Sequence, residues 1–182
     1  MSDIKLNFIE SGEGFPIILL HGNGESSDYF SAQIPAFSKI RHVFAVDTRG
    51  HGKSPMGDQP FNLSQFADDL SCFMEKNDIS KADVLGFSDG GNISIIFALR
   101  YPQKLGKLII DGANLYPSGM KKSVHKEIRR RCRKFDADPS MLYESKLYHL
   151  MTDEPNIKPW DLRKITVHTL VIAGTEIGRA HV

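Results

Sequence analysis

The sequence of 182 residues lacks any apolar run near the roughly 18 residues that a membrane span needs, so we expect no membrane partner. It has almost no net charge, +1 at pH 7, so no global field draws it to nucleic acid, and we expect no such partner. It has only two cysteines, Cys72 and Cys132, and neither has the spacing of a metal site. With no apolar signal-peptide core near the N-terminus, these features predict a cytoplasmic protein with reduced thiols and no bound metal.

Short apolar runs alternate with segments of helical period, which predicts βα units around a mostly parallel sheet. The predicted strands are residues 4–9, Pro16–Leu20, His42–Val46, Ala82–Phe87, 107–110 and 166–173. The predicted helices include residues 29–40, a helix opened by Asn62 and Gln65 in the pattern of a capping box, and residues 90–101. The predicted fold class is therefore α/β.

Residues 117–159 show helical periodicity without strands, which predicts a helical cap inserted between strands of the sheet. We divide the chain into a core (1–115), a cap (116–161), a return to the core (162–175) and a tail (176–182). One cap helix has an apolar face, formed by Val124, Ile128, Cys132 and Phe135. Its other face carries the basic residues Lys121, Lys122, Lys126, Arg129, Arg130, Arg131, Arg133 and Lys134. We interpret that face as solvated, with a surface for membranes or nucleic acid as the alternative.

The strongest chemical signal is Gly-Phe-Ser-Asp-Gly-Gly at residues 86–91, between a predicted strand and a predicted helix. A serine hydroxyl is a weak nucleophile, so it needs exposure, a base and a place for the oxyanion. A sharp strand-to-helix turn exposes Ser88, and small residues two positions before and after it allow the two backbones to approach. The turn predicts Ser88 as a nucleophile; a glycine turn with an incidental serine is the alternative.

Two further motifs follow predicted strands. His-Gly-Asn-Gly at residues 21–24 would place the N–H of Asn23 beside that of Asp89 as the two oxyanion donors, although the motif could also be a plain turn. Residues 47–54, Asp-Thr-Arg-Gly-His-Gly-Lys-Ser, lack the spacing of a phosphate-binding loop. We assign no chemistry to them and interpret Arg49 and His51 as structural.

Together, in this order and spacing, the three motifs resemble the α/β-hydrolase fold over residues 4–175. Within it the chain is most similar to the biphenyl-hydrolase-like (valacyclovir hydrolase) group, through residues 86–91 and 111–116. That resemblance implies a serine hydrolase that acts on a small-molecule ester through acyl-Ser88, without a cofactor. It also implies that Asp89, with Asn23, binds substrate and favours esters that carry an α-amino group; the alternative is that Asp89 contributes only its N–H.

Other functions stay open, because one fold supports many activities. A carbon–carbon bond or enol-lactone hydrolase of the same fold is one alternative. A non-catalytic binding protein that keeps the fold is another. The oligomeric state is not predicted.

The acid and the histidine of a catalytic triad are not found in the sequence. In this fold they follow the serine, acid first. Gly-Thr-Glu at residues 174–176 is similar to the acid-bearing turn, but Ile177 stands where the acid is expected. The remaining histidines are poor candidates for the base: His42, His51, His125, His149, His168 and His181. Residues 176–182 also resemble a translated sequencing adapter. We therefore expect a chain cut before its last strand and helix, and inactive by itself.

Overall fold

The computed structural model describes residues 4–174, which form one six-stranded sheet. Its strands are β1 (Phe8–Ser11), β2 (Pro16–Leu20), β3 (His42–Val46), β4 (Ala82–Phe87), β5 (Leu105–Asp111) and β6 (Thr169–Ile172). Their order across the sheet is β1-β3-β2-β4-β5-β6. β1 runs antiparallel to β3, and the other pairings are parallel. The α/β class with a mostly parallel sheet is therefore confirmed.

Helices connect the strands and flank the sheet. They are α1 (Gln33–Phe37), α2 (Leu63–Lys76), α3 (Asp89–Arg100), α4 (Lys122–Asp136) and α5 (Leu142–Asp153). Short 3₁₀ turns occupy Ser27–Phe30, Pro102–Lys104, Pro117–Gly119, Pro139–Met141 and Pro159–Lys164. Asn62 is the N-terminal cap of α2, as predicted, since its side chain accepts the N–H of Gln65 at 2.7 Å. The other half of the predicted capping box is absent among the described residues, because the Gln65 side chain donates to Asp69 (2.9 Å).

The core lies on both faces of the central strands. Ile18 and Leu20 of β2 pack on the same side as α2 and α3, whereas Ile17 and Leu19 pack with Phe30 on the other side. Because successive side chains of a strand point to opposite faces, a strand covered on both faces is mainly apolar. This explains why β2, β3 and β4 have the bounds that their apolar runs predict. The exception in β4 is the buried Asp83, which pairs with Arg41.

The edge strands β1 and β6, the interior strand β5 and two helices differ from their predicted bounds. The strand predicted at residues 4–9 forms at Phe8–Ser11, because the N–H of Asn7 donates to the Ser54 hydroxyl (2.8 Å). The helix predicted at residues 29–40 is a 3₁₀ turn followed by the short α1, since Pro35 has no N–H for a continuous helical ladder. β5 is longer than the predicted 107–110, α3 starts one residue before 90, and β6 is shorter than 166–173.

The segment between β5 and β6 contains α4 and α5, and it has no strand within residues 117–159, as predicted. The two helices pack together: the rings of Phe135 and Tyr148 lie 5.0 Å apart, and Ile128 and Cys132 are buried. Cys72 on α2 and Cys132 are free thiols. The division into core and cap remains a prediction, and the predicted tail lies outside the described residues. No helix in the described part of the chain is long and apolar enough to cross a bilayer.

Candidate active site

The turn from β4 into α3 holds Ser88 in a backbone conformation that L-residues rarely adopt. Its φ and ψ angles are 53° and −118°, and such a conformation costs about 1–3 kcal/mol. The N–H of Ser88 donates to the carbonyl of Asp111 on β5 (2.8 Å), and its own carbonyl accepts the N–H of Asn92 (3.1 Å). These bonds hold the serine at the carboxyl edge of the sheet, at the N-terminus of α3.

Two glycines make this turn sterically possible. A Cβ on Gly86 would overlap the backbone of Gly90, and a Cβ on Gly90 would overlap the carbonyl group of Leu20 on β2. The backbones of β4, α3 and β2 therefore approach more closely than any side chain allows. This is the close approach that the small residues around Ser88 predict.

The loop after β2 lies against the same serine. A Cβ on Gly22 would stand 3.2 Å from the Cβ of Ser88, and the N–H of Gly22 donates to Oε2 of Glu25 (2.9 Å). Within residues 4–174, the backbone N–H groups of Asn23 and Asp89 have no hydrogen-bond acceptor. Two such donors in the segments that adjoin a serine are what an oxyanion hole requires.

The carboxyl group of Asp89, the first residue of α3, has an incomplete set of partners. Its Oδ1 accepts a long hydrogen bond from the Asn92 side chain (3.5 Å), whereas its buried Oδ2 has no partner among the described residues. Burial raises the pKa of Asp89 to about 6, and the nearby side-chain amides of Asn23 and Asn92 oppose part of that rise. The carboxylates of Glu154 and Glu25 raise it further. A bound cation would favour the ionised form of this group.

Glu25 and Glu154 make the surroundings of Asp89 acidic, and sequence reasoning missed both. Burial raises the pKa of each, although Glu25 accepts one backbone N–H and Glu154 accepts that of Leu63 (2.8 Å). In the part of the chain that the structure describes, none of the three carboxyl groups of Glu25, Asp89 and Glu154 forms an ion pair. No motif in the sequence marks Glu154, because it reaches this site only through the packing of the segment after α5.

Arg49 lies in the interior, as a structural role requires. Its Nε and Nη2 donate to the two carboxylate oxygens of Asp69 on α2, each at 2.7 Å, and its Nη1 donates to the carbonyl of Met56 (2.8 Å). Both side chains of the pair are 1% exposed. The bidentate pair ties the loop after β3 to α2.

The histidines of the two loop motifs form a neutral network behind the site. Nε2 of His21 accepts the N–H of Thr48 (3.1 Å), so its Nδ1 carries the proton and donates to the carbonyl of Gly22 (2.8 Å). Nδ1 of His51 donates to the carbonyl of Arg49 (2.9 Å). Burial lowers the pKa of His21, and it lowers that of His51 to about 4. Both rings therefore hold loops in place as uncharged groups.

Among the described residues, the structure brings no histidine to Ser88. Within residues 4–174, no hydrogen bond joins its hydroxyl to an imidazole; His42 instead contacts Glu10 (2.7 Å), and His149 contacts Asp136 (3.0 Å). The predicted acid-bearing turn beyond residue 174, Ile177 and His181 lie outside the described residues. The described residues also contain no group of three His, Cys, Asp or Glu side chains that could hold a metal ion.

Comparison with known proteins assigns the fold to a family. A family model for the alpha/beta hydrolase fold matches residues 16–138. The chain is 31% identical over 114 residues to 2-hydroxymuconate semialdehyde hydrolase of Pseudomonas sp. (strain CF600), covering 60% of the chain and 40% of that protein. It is 32% identical over 137 residues to serine hydrolase BPHL of Homo sapiens, covering 71% of the chain and 46% of that protein.

The chain thus spans less than half the length of these curated relatives. The crystal structure of a hydrolase from Pseudomonas aeruginosa PA01 superimposes with a TM-score of 0.77 at 18% identity, covering 98% of the chain and 84% of that structure. At this identity the likeness concerns the fold alone. The family model covers most of the described residues, and this chain belongs to the α/β-hydrolase fold family.

Proposed function

We propose that Ser88 is the nucleophile of a hydrolase that cleaves a small carboxylic ester or a related acyl bond. The observation that carries the proposal is the strained serine at the N-terminus of α3, with two backbone N–H groups free in the adjoining segments. Its oxygen attacks the acyl carbon, the alcohol leaves with a proton, and water then releases the acid from acyl-Ser88. The N–H groups of Asn23 and Asp89 stabilise the oxyanion that forms in each half of the reaction.

This chemistry requires a histidine base oriented by an acid. Because no histidine in residues 4–174 contacts Ser88, the proposal requires both groups to come from outside the described residues. No step in it needs a metal ion or an organic cofactor.

The test is covalent labelling of the longest protein product of the gene with a fluorophosphonate, which forms a stable adduct with an activated serine. We expect one adduct, on Ser88, and none on the Ser88→Ala variant. Ser123→Ala, which removes an exposed hydroxyl on α4, is the matched control and keeps the label. Absence of an adduct at Ser88 contradicts the proposal and favours a non-catalytic binding protein with the same fold.

We further propose that Asp89, assisted by the Asn23 side chain, binds an α-amino group of the substrate. Three observations support this: the unpartnered Oδ2 of Asp89, the nearby carboxyl groups of Glu25 and Glu154, and the similarity to serine hydrolase BPHL. Esters of L-valine and of 3-methylbutanoic acid differ only by the amino group, so their kcat/KM ratio measures its contribution.

We expect Asp89→Asn to lower that ratio by roughly tenfold or more, as for loss of a desolvated charge pair. An unchanged ratio means that Asp89 contributes only its backbone N–H.

Similarity to 2-hydroxymuconate semialdehyde hydrolase favours a second candidate function, hydrolysis of a carbon–carbon bond. An enol-lactone hydrolase on the same scaffold belongs with it, since the same Ser88 would serve both. Comparing kcat/KM for aminoacyl esters, enol-lactones and vinylogous diketones on one preparation separates these activities.

A further inference from the structure

The cap concentrates positive charge in one helix. Residues 121–136 contain eight basic and two acidic side chains, for a net charge of +6, in a chain whose total is +1. The eight basic residues are all exposed. The positive charge is therefore carried by one outer surface of the cap and is balanced elsewhere in the chain.

Four of these residues form a row, here called the basic face. Lys122, Lys126, Arg129 and Arg133 recur at spacings of four, three and four, which places them on one side of α4 over about 16 Å. None of the four forms an ion pair with any residue between 4 and 174. The apolar side of α4 is already buried against α5. The side of α4 that is left to contact a partner therefore carries charged groups.

We propose that the basic face docks the protein on an anionic lipid surface. Four to eight basic residues on one amphipathic helix complement the negative potential of such a surface, at about 1 kcal/mol each. Leu142 and Tyr143, at the start of α5 and beside the C-terminal end of α4, are 61% and 41% exposed. An exposed aliphatic and an exposed aromatic side chain can enter the headgroup region next to the charges.

The occupant is a membrane rather than a nucleic acid for two reasons. Residues 122–133 contain no Phe, Tyr or Trp on which bases could stack between the cations. The exposed Leu142 and Tyr143, at the start of α5, also add apolar groups that a phosphate backbone would not use. Surface docking needs no membrane-spanning segment, so it is compatible with the absence of a long apolar run. It does not depend on the chemistry of Ser88.

The test is cosedimentation of the 182-residue chain with phosphatidylcholine vesicles, with and without 30 mol% phosphatidylserine. We expect binding only to the anionic vesicles, and weaker binding at high salt because screening shortens the reach of surface charges. Lys126→Gln, Arg129→Gln and Arg133→Gln together remove three charges and are expected to lower the partition constant by roughly 100-fold. Lys39→Gln, Lys81→Gln and Lys107→Gln remove three exposed charges elsewhere and serve as the matched control.

Binding of equal strength to neutral vesicles overturns the proposal, as does an equal loss in the two triple variants. Binding to a 20-base-pair DNA duplex or to RNA that needs the basic face, without vesicle binding, assigns the surface to nucleic acid instead. Far-UV circular dichroism of each variant confirms that the fold is kept. The combined replacement of Leu142 and Tyr143 by Ser is expected to weaken vesicle binding while leaving its salt dependence unchanged.

Discussion

The buried pair of Arg49 and Asp69 offers the sharpest test of how the loop after β3 is held. The two groups share two hydrogen bonds of 2.7 Å, each side chain is 1% exposed, and Gln65 donates a further bond to Asp69 (2.9 Å). Asp69→Asn keeps the shape of the side chain and removes only its charge. The substitution therefore leaves a buried guanidinium without its carboxylate.

Breaking a buried pair in this way costs about 3–5 kcal/mol of unfolding free energy. With a urea m-value of about 2 kcal/mol/M, the midpoint of unfolding should fall by about 2 M. The double variant Arg49→Met, Asp69→Leu removes both charges and fills the same space with apolar atoms. It should recover most of that loss, because it has neither buried charge to desolvate. The recovery is not complete, since the Met56 carbonyl and the Gln65 side chain each lose a hydrogen-bond partner.

The assay is urea unfolding followed by far-UV circular dichroism, for the parent, Asp69→Asn, the single variants Arg49→Met and Asp69→Leu, and the double variant. Glu75→Gln, which breaks an exposed pair with Lys104, is the control and should leave the midpoint unchanged. A shift of the midpoint by Asp69→Asn that is no larger than the shift of this control contradicts the prediction. So does a double variant that loses as much stability as Arg49→Met and Asp69→Leu combined.

Three further predictions concern glycine, a helix cap and pH. Gly90→Ala should cost about 3 kcal/mol or more, since its Cβ overlaps the Leu20 carbonyl; an unchanged midpoint of urea unfolding contradicts this. Asn62→Ala should cost about 1 kcal/mol by losing the bond to the Gln65 N–H, and Asn62→Asp, which keeps the acceptor, is its control. His51 has a lowered pKa of about 4, so the unfolded state binds more protons below pH 6.5. The free energy of unfolding should therefore be greatest above pH 6.5 and fall by up to about 3 kcal/mol as the pH drops to 4. His51→Asn should flatten that profile in urea titrations, and a profile unchanged by the substitution contradicts it.

The central strands are predicted well because their physical cause is local. β2, β3 and β4 are covered on both faces, so each is a mainly apolar run, with the buried Asp83 of β4 as the exception. The edge strand β1 is predicted poorly because a non-local bond decides where it starts. The bond from Asn7 to the Ser54 hydroxyl, 47 residues away, shifts the start of β1.

The candidate site also has features that the sequence reveals and features that only the fold creates. Gly86 and Gly90 reveal the turn at Ser88 in the sequence, because no other residue type permits that approach of backbones. The partners of the turn are not visible there. Glu154 receives the N–H of Leu63, 91 residues earlier, and becomes an acidic neighbour of Asp89 through packing alone.

The sequence by itself determined the α/β class, the strand-to-helix turn at Ser88 and the basic face of α4, since each depends on residues close together in the chain. Tertiary structure decided which groups meet. It joined the Asn23 side chain to the carbonyl of Leu147, 124 residues away, and Arg49 to Asp69 on α2. Such contacts form because buried polar groups must find partners, and the fold, not the spacing in sequence, determines which partners are within reach.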